Sequence, residues 1–518
     1  MRCSHSYLFA FLSVTLLAVT CARAQTVVSL PPARGALVQS SPVRTLSISP
    51  ADFAAVLSAT DPGAQLLQLA GALKCGIDVF KLQYYTVGGA GESTTASAAV
   101  MLPTGDDHRC RGGRPVLLYT HGTQLNQNFD IGAIEDVENN DEGTAVAALF
   151  AAQGYVVVAP NYAGYDTSTL TYHPYMNADQ QSKDTIDALV AAHRAMPQVF
   201  GPDIRGSREL FLAGFSQGGH VAMATHRALQ ALGIPVTAAA PMSGPYALAA
   251  YADEQVAGRV DFLAPLGLAL VIDSYQHAYG NIYSVATDIV QSRYANNIDL
   301  LPTNDPNVFA QGELPVFQVF ALEPPAPQFA SITPATTPAD IAPLFTLGFG
   351  PNHLITNEYR LQYLLDAQMN PDGGWPVVTS GLPAANPANT LRQAFKRNDL
   401  RNWSPTSPVM MCGGSGDLNF INAELMQKYW VSTGAAGWTS VLNLDAPPLS
   451  QADPYASVLA GFAASKAAIA ANAVAQGATD GGALAVLESY HIQLEDPYCF
   501  AAARVFFERH RHFPSGIR

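Results

Sequence analysis

A serine framed by glycines is the feature of the sequence that most clearly indicates chemistry. Gly214, Ser216 and Gly218 fit the pattern G-x-S-x-G. The pattern lies between a predicted strand, residues 209–213, and a predicted helix, residues 220–232. In a nucleophile elbow the serine stands on a sharp, strained turn, so its neighbours two positions away must be small. We therefore predict that Ser216 is a nucleophile; the alternative is a glycine-rich turn that only joins strand and helix.

The acid that orients the base of such a serine is expected after a late strand. A serine hydroxyl needs a base, the base needs an orienting acid, and in chains with this elbow the order is serine, acid, histidine. Asp417 follows the predicted strand 409–412 in the segment C-G-G-S-G-D, where the glycines permit a tight loop. We predict that Asp417 is the acid. Its rival is Asp445, just past the next strand, and the other alternative is that Asp417 is an ordinary turn residue.

The base is sought among the histidines that follow Asp417. His510 and His512 alternate with arginines near the end of the chain, which is typical of a solvated helix end. His491 lies between the last predicted strand and the predicted C-terminal helix, on a loop that could reach the edge of the sheet. We therefore predict that His491 is the general base.

A second strand end supplies the expected oxyanion site. His121, Gly122 and Thr123 directly follow the predicted strand 115–119. Backbone N–H groups stabilise the oxyanion in such a loop, and a helix N-terminus favours developing negative charge. We predict that the amides of Thr123 and Gln217 hold the oxyanion and that the side chain of His121 is structural.

The rest of the pattern indicates which elements position these residues. Two β segments, residues 80–87 and 94–102, are separated by a glycine-rich turn and predict a hairpin. Strands then alternate with helices as far as Tyr246, which predicts a parallel sheet with helices on both faces. The alternation stops after Tyr246 and resumes only at Pro408. The predicted fold class is α/β, with a mostly parallel central sheet and a large insertion.

These motifs together resemble a known family. The segment G-F-S-Q-G-G at Ser216, the H-G-T loop at His121 and the G-S-G-D loop at Asp417 resemble the α/β-hydrolase superfamily. More narrowly, the segments V-A-P-N-Y-A-G-Y (residues 158–165) and H-P-Y (residues 173–175) resemble bacterial members of the secretory lipase family. The resemblance covers residues 75–246 well and residues 408–500 moderately.

The resemblance implies a fold, a site and an activity. It implies an eight-stranded α/β-hydrolase core with a large cap or lid inserted after the sixth strand. It also implies a triad of Ser216, Asp417 and His491 that hydrolyses carboxylic esters. We predict no cofactor and no metal. The single Gly122-Thr123 pair is like the oxyanion loop of lipases that act on medium or long acyl chains.

The start of the chain reads as a targeting segment. Arg2 is followed by an apolar run at residues 7–19 and by Ala22-Arg23-Ala24, which predicts a secretory signal cleaved after Ala24. The run is too short to span a bilayer, which needs about 20 apolar residues. We expect a secreted or periplasmic protein with no stable membrane anchor, because no other stretch reads as long and apolar enough to cross a membrane.

The predicted organisation follows from these segments. It comprises a signal peptide (residues 1–24) and an N-terminal lead-in (25–74). The catalytic core has two blocks (75–246 and 400–518), and a cap lies between them (247–399).

Composition limits the classes of protein that remain. Of the 518 residues, 48% are apolar and 13% are charged, whereas soluble proteins average roughly 25% charged residues. This balance excludes a disordered chain. The formal net charge of −14 argues against nucleic acid as a partner.

Two of the six cysteines lie in the predicted signal, and the other four are Cys75, Cys110, Cys412 and Cys499. An even number in an oxidising compartment favours disulfides, and four cysteines allow three pairings. Cys75 with Cys110 and Cys412 with Cys499 is preferred, because each pair flanks one contiguous part of the pattern. Four unpaired buried thiols are the alternative, and the spacing is unlike that of zinc knuckles.

The sequence therefore predicts a serine esterase or lipase acting on a small-molecule or lipid ester. A peptidase or amidase on the same fold is the rival enzyme, although no repeat of propeller-blade length is present. A non-catalytic binding protein is the rival of another class. The apolar stretch 262–272 is either the wall of an acyl pocket or the core of the cap, and the oligomeric state stays open.

Overall fold

The alternation of apolar strands and amphipathic helices produces one central sheet. The structure is a computed structural model that describes residues 33–199, 204–261 and 263–511. The predicted signal peptide, its cleavage site after Ala24 and the first residues of the lead-in lie outside the described residues.

The strands are β1 (Val43–Ile48), β2 (Gly76–Val87), β3 (Ser93–Thr104), β4 (Gly112–Thr120), β5 (Val156–Pro160), β6 (Ile204–Phe215), β7 (Ala238–Met242), β8 (Val409–Gly413) and β9 (Thr439–Asn443). They form a nine-stranded sheet in the order β1-β2-β3-β5-β4-β6-β7-β8-β9. The pairs β1–β2, β2–β3 and β3–β5 are antiparallel, and the pairs from β5 to β9 are parallel. The expected hairpin is β2–β3, and the expected mostly parallel sheet is confirmed.

The helices are α1 (Pro50–Ser58), α2 (Asp61–Ala70), α3 (Asp141–Leu149), α4 (Ala178–Val199), α5 (Gln217–Ala231), α6 (Leu248–Val256), α7 (Ala264–Tyr279), α8 (Ala342–Leu347), α9 (Asn357–Met369), α10 (Thr390–Asn398), α11 (Phe420–Ser432), α12 (Ala456–Ala475), α13 (Ala483–Ser489) and α14 (Asp496–His510). Several begin at capping side chains. For example, the hydroxyls of Ser49 and Thr60 accept the N–H groups of Asp52 and Gly63 at the starts of α1 and α2.

Both faces of the sheet are buried, as a parallel sheet requires. Successive residues of β4 point to opposite sides: Leu117 packs in the core that contains Phe507 of α14, and Leu118 packs in the core that contains Trp430 of α11. Because the central strands are parallel, their carboxyl ends lie at the same end of the sheet, where the loops that follow them can meet.

The strand β1 is an addition to the eight strands that were expected. Its side chains are mostly exposed, and it pairs with the edge of the sheet through β2. The sequence V-R-T-L-S-I carries no strong apolar alternation, so tertiary pairing and not local pattern places it there.

The segment between the two core blocks contains α6 to α10 and has a buried cluster of its own, which includes Ile272, Tyr275 and Phe395. The insertion is thus stabilised by a hydrophobic core that is largely its own. Its boundaries, residues 247–399, stay a prediction.

One helix corrects the expectation that no further stretch is apolar enough to cross a membrane. In the described part of the chain, α12 meets that criterion by length and composition alone, with a mean hydropathy of 1.5 and 17% of its window buried. Its apolar character comes mainly from alanine, which is why it does not stand out as a run of large apolar residues.

The four cysteines form two disulfides in the pairing that the sequence favours. Cys75 is bonded to Cys110 and Cys412 to Cys499, with Cα–Cα distances of 5.6 Å in both. The first joins the start of β2 to the turn before β4, and the second joins β8 to α14.

Candidate active site

The turn between β6 and α5 carries Ser216 in a strained backbone conformation. Ser216 has φ 57° and ψ −121°, a positive φ that few residues other than glycine adopt. A Cβ at Gly214 would clash with the hydroxyl of Thr120, and one at Gly218 would clash with the carbonyl of Thr120. Glycine at both positions is therefore required so that the turn can pack against β4 and project the serine from the sheet.

The three predicted residues come together at this turn. The Nε2 atom of His491 lies 2.9 Å from Oγ of Ser216, and its Nδ1 atom lies 2.6 Å from Oδ2 of Asp417. The other carboxylate oxygen of Asp417 accepts the backbone N–H of Asn419 at 2.9 Å. In this arrangement the imidazole can accept the serine proton at Nε2 while Nδ1–H donates to the carboxylate.

The local structure around His491 differs from the expected loop. His491 lies in a π-helical turn, Tyr490–Glu495, that connects α13 directly to α14. The sequence from Ala483 to Asp496 contains neither glycine nor proline, which favours a continuous helix over the loop predicted for His491. The wider turn lets the histidine project toward Ser216 without a break in the chain.

Burial and charge set the proton affinities of this pair. Burial alone would lower the pKa of His491, but the negative charge and hydrogen bond of Asp417 raise it well above the ordinary value. Burial would raise the pKa of Asp417, but the attraction of His491 and their hydrogen bond hold it below the ordinary value. The carboxylate is thus the anionic partner of the imidazole.

The predicted oxyanion donors flank the serine. Gln217 is the first residue of α5, where N–H groups have no partner within the helix, and Thr123 lines the same cavity as Ser216. The side chain of Gln217 is buried and contacts Nε2 of His173 at 2.7 Å, while Thr123 Oγ1 is hydrogen-bonded to the hydroxyl of Tyr175 at 2.7 Å. These contacts fix both side chains.

His121 is a buried side chain in the loop after β4. The ring is fully buried, and its Nδ1 lies 2.7 Å from the carbonyl oxygen of Gly122. Burial lowers the pKa of His121 to about 4, so the ring stays neutral at ordinary pH. It packs against the rings of Phe129 and Tyr162.

Two buried glutamates next to the site were not identified from the sequence. Glu142 in α3 accepts the backbone N–H of Gly122 at 2.9 and 3.0 Å and also the hydroxyl of Tyr119. Glu495 lies one turn after His491 in the π-helical turn and is fully buried. No local motif marks either residue, because their partners come from distant parts of the chain.

The residues that could share a metal ion are the same ones that form the hydrogen-bonded site. Within the described ranges, Asp417, His491 and Glu495 are the group of potential ligands whose atoms come within 4.8 Å of one another. The short contacts of His491 to Asp417 and Ser216 already use both of its ring nitrogens.

An apolar cavity of about 260 Å³ opens above Ser216 and His491 and extends into the inserted segment. Its walls come mainly from α6, α7, α9 and α10, with Leu266, Leu268 and Val271 contributed by α7. Other residues of the same apolar stretch, such as Leu270 and Ile272, pack in the core of the insertion. The stretch therefore serves as cavity wall on one side and as cap core on the other.

Known structures share this architecture. The chain is similar to the rice cell wall degrading esterase LipA from Xanthomonas oryzae, with a TM-score of 0.61 and 25% identity over 80% of this chain and 91% of that chain. A mutant of the same esterase gives a TM-score of 0.64 and 24% identity over 93% and 100% of the two chains. Neither a protein-family model nor a curated protein sequence matches the chain. The expected α/β-hydrolase fold is confirmed, and the similarity supports a hydrolase.

Proposed function

We propose that this protein is a secreted serine hydrolase of carboxylic esters, an esterase or lipase that works through an acyl-enzyme. The observation that carries the proposal is the chain of contacts from Ser216 through His491 to Asp417 at the base of an apolar cavity. A hydroxyl, an imidazole and a buried carboxylate at these distances can transfer a proton from the serine to the histidine as the serine attacks.

The reaction follows from the positions of these groups. Ser216 Oγ bonds to the ester carbonyl carbon while Nε2 of His491 takes its proton, and Asp417 stabilises the imidazolium. The backbone amides of Thr123 and Gln217 hold the negative charge that develops on the carbonyl oxygen. His491 then gives its proton to the leaving alcohol. A water molecule that His491 deprotonates attacks the acyl-enzyme and releases the acid and Ser216.

The cavity favours an acyl group over a peptide. Leucine, valine and aromatic side chains dominate its lining, whereas a peptide would bring backbone amide groups that need hydrogen-bond partners. A cavity of about 260 Å³ is many times the roughly 10–15 Å³ that one water molecule needs, so it leaves room for an acyl chain of several carbon atoms. A medium-length aliphatic or aryl acyl group is the class of substrate that fits.

Export is supported by two independent features. The predicted signal peptide ends at Ala24, and two buried disulfides form among the cysteines that follow it. Export to an oxidising compartment accounts for both.

Labelling with a fluorophosphonate tests this function, because such a probe reacts only with an activated serine. We expect one equivalent to bind at Ser216, located by peptide mass analysis, and prior reaction to abolish ester hydrolysis. Absence of labelling in folded protein would favour a non-catalytic binding role, and hydrolysis of short peptides in preference to esters would favour a peptidase.

A further inference from the structure

A second carboxyl group faces the imidazole of His491. Oε2 of Glu495 lies 3.7 Å from Nδ1 of His491, while Oδ2 of Asp417 lies 2.6 Å from the same atom. The side chain of Glu495 is fully buried, and 2% of the Asp417 side chain is exposed. Two buried carboxyl groups therefore face the same ring nitrogen.

The site holds too little positive charge for two carboxylates. Among the described residues, His491 is the ion-pair partner of both acids, and neither is within ion-pair distance of a lysine or arginine. In the resting state a general base is neutral, so two buried negative charges would repel each other without compensation. One of the two carboxyl groups must then carry a proton.

The hydrogen-bond partners indicate which acid is protonated. Asp417 accepts Nδ1–H of His491, at 2.6 Å, and both the backbone and side-chain N–H groups of Asn419, at 2.9 and 3.3 Å. Oε1 of Glu495 accepts the N–H of Gly414, and Oε2 lies 2.6 Å from Oγ of Ser243, a hydroxyl that can donate or accept. Asp417 thus has the donors that an anion needs. Because Ser243 donates to Oε2 of Glu495, the proton of a neutral Glu495 is directed to Asp417, and the two carboxyl groups are hydrogen-bonded to each other.

The other ionisable groups around Glu495 do not change this balance. Among the described residues, Tyr490 and Asp496 lie on its own stretch and Tyr246 near the end of β7. The other elements packed around this group add three acids, which are Asp445, Asp261 and Glu142. The cation Lys466 lies over the ring of Tyr490 and is paired with Asp445. Burial and the neighbouring charge of Asp417 raise the pKa of Glu495 well above its ordinary value.

We propose that Glu495 is a positioning residue that stays neutral during catalysis and donates a hydrogen bond to Asp417, and so fixes the carboxylate that orients His491. The inference rests on the proposed esterase function. A neutral second acid holds Asp417 without adding a second negative charge beside the base.

The test measures the pKa of His491 by NMR and the pH profile of kcat/KM in Glu495→Gln. Glutamine keeps an acceptor for Gly414 and an N–H donor for Asp417, so we expect kcat within about threefold of the unaltered protein and a pKa of His491 within half a unit. If Glu495 is instead an anion, its loss lowers the pKa of His491 by about 1–3 units, and this result would overturn the proposal. Glu508→Gln, on the same helical stretch but bonded to Tyr155, is the matched control and should leave both values unchanged.

A second variant keeps the test decisive if the glutamine variant does not fold. Glu495→Met keeps the approximate size but removes the hydrogen bond, so we expect kcat to fall about tenfold with little change in the pKa of His491. Wild-type kcat in Glu495→Met would contradict a positioning role. The NMR measurement needs no substrate; a protein without Ser216-dependent hydrolysis would therefore contradict the proposed function, whereas a fall in the pKa of His491 would contradict this inference.

Discussion

Cys412 in β8 is disulfide-bonded to Cys499 in α14, with their Cα atoms 5.6 Å apart and both side chains buried. Asp417 follows Cys412 by one short loop, and His491 precedes Cys499 by one turn of π-helix and the start of α14. The disulfide therefore ties together the two elements whose side chains form the Asp417–His491 contact.

Removal of this disulfide should affect catalysis as well as stability. For the double variant Cys412→Ser, Cys499→Ser we expect a loss of about 2–5 kcal/mol in the free energy of unfolding. We also expect kcat to fall at temperatures where the protein is still folded, because Asp417 and His491 are no longer held at a fixed distance from each other.

The control is the double variant Cys75→Ser, Cys110→Ser. That disulfide joins the start of β2 to the turn before β4. It therefore lies at the amino-terminal end of these strands, opposite to the carboxyl ends that carry the site. We expect a lower Tm but unchanged kcat in the folded protein. Equal losses of kcat in both double variants would show that the Cys412–Cys499 bond has no particular relation to the site.

The pH dependence of hydrolysis should reflect the raised pKa of His491. The neutral imidazole is the base, so kcat/KM rises as the pH passes the pKa of His491. Burial lowers this pKa, but the charge of Asp417 more than offsets burial and raises it above 6.5. We expect half-maximal kcat/KM for a water-soluble ester above pH 6.5. A half-maximal rate below that pH would contradict the assigned electrostatics.

Filling the cavity should change the preferred chain length. Leu268 of α7 lines the cavity, so Leu268→Trp is expected to lower kcat/KM for long-chain p-nitrophenyl esters about tenfold or more while acetate and butyrate esters are hydrolysed as before. Leu232→Trp, at a position that is 64% exposed, is the control for the added ring. The same chain-length profile in both variants would exclude this cavity as the acyl site.

The oxyanion loop should depend on Glu142. Burial raises the pKa of Glu142 to about 8, and its oxygens accept the N–H of Gly122, next to Thr123. Glu142→Ala leaves that N–H unpaired, which costs about 1–3 kcal/mol of stability, and we expect kcat to fall about tenfold with little change in KM. Glu142→Gln keeps an acceptor and should retain most of the activity. Wild-type kcat in the alanine variant would show that the proposed oxyanion loop does not depend on Glu142.

The sequence was most informative where structure is local. The elbow at Ser216 could be predicted because glycines at positions 214 and 218 are required by the turn itself, and the order of strands and helices around it fixed the fold class. The pairing of cysteines also followed from this order.

The parts that were missed depend on contacts between distant segments. The strand β1 exists because β2 offers a free edge, and the positions of Glu142 and Glu495 depend on β4, β7 and β8. The π-helical turn at His491 has helical sequence on both sides, and only the position of Ser216 requires the wider turn there.

The most direct test of the account is ester hydrolysis by Ser216→Ala. The variant removes only the hydroxyl, so folding is expected to be preserved, as circular dichroism and Tm would show. We expect hydrolysis of p-nitrophenyl esters to fall by about three orders of magnitude or more, since loss of a triad nucleophile has effects of that size. Retention of even about a tenth of the wild-type rate would contradict Ser216 as the nucleophile, because the oxyanion donors alone cannot supply that rate.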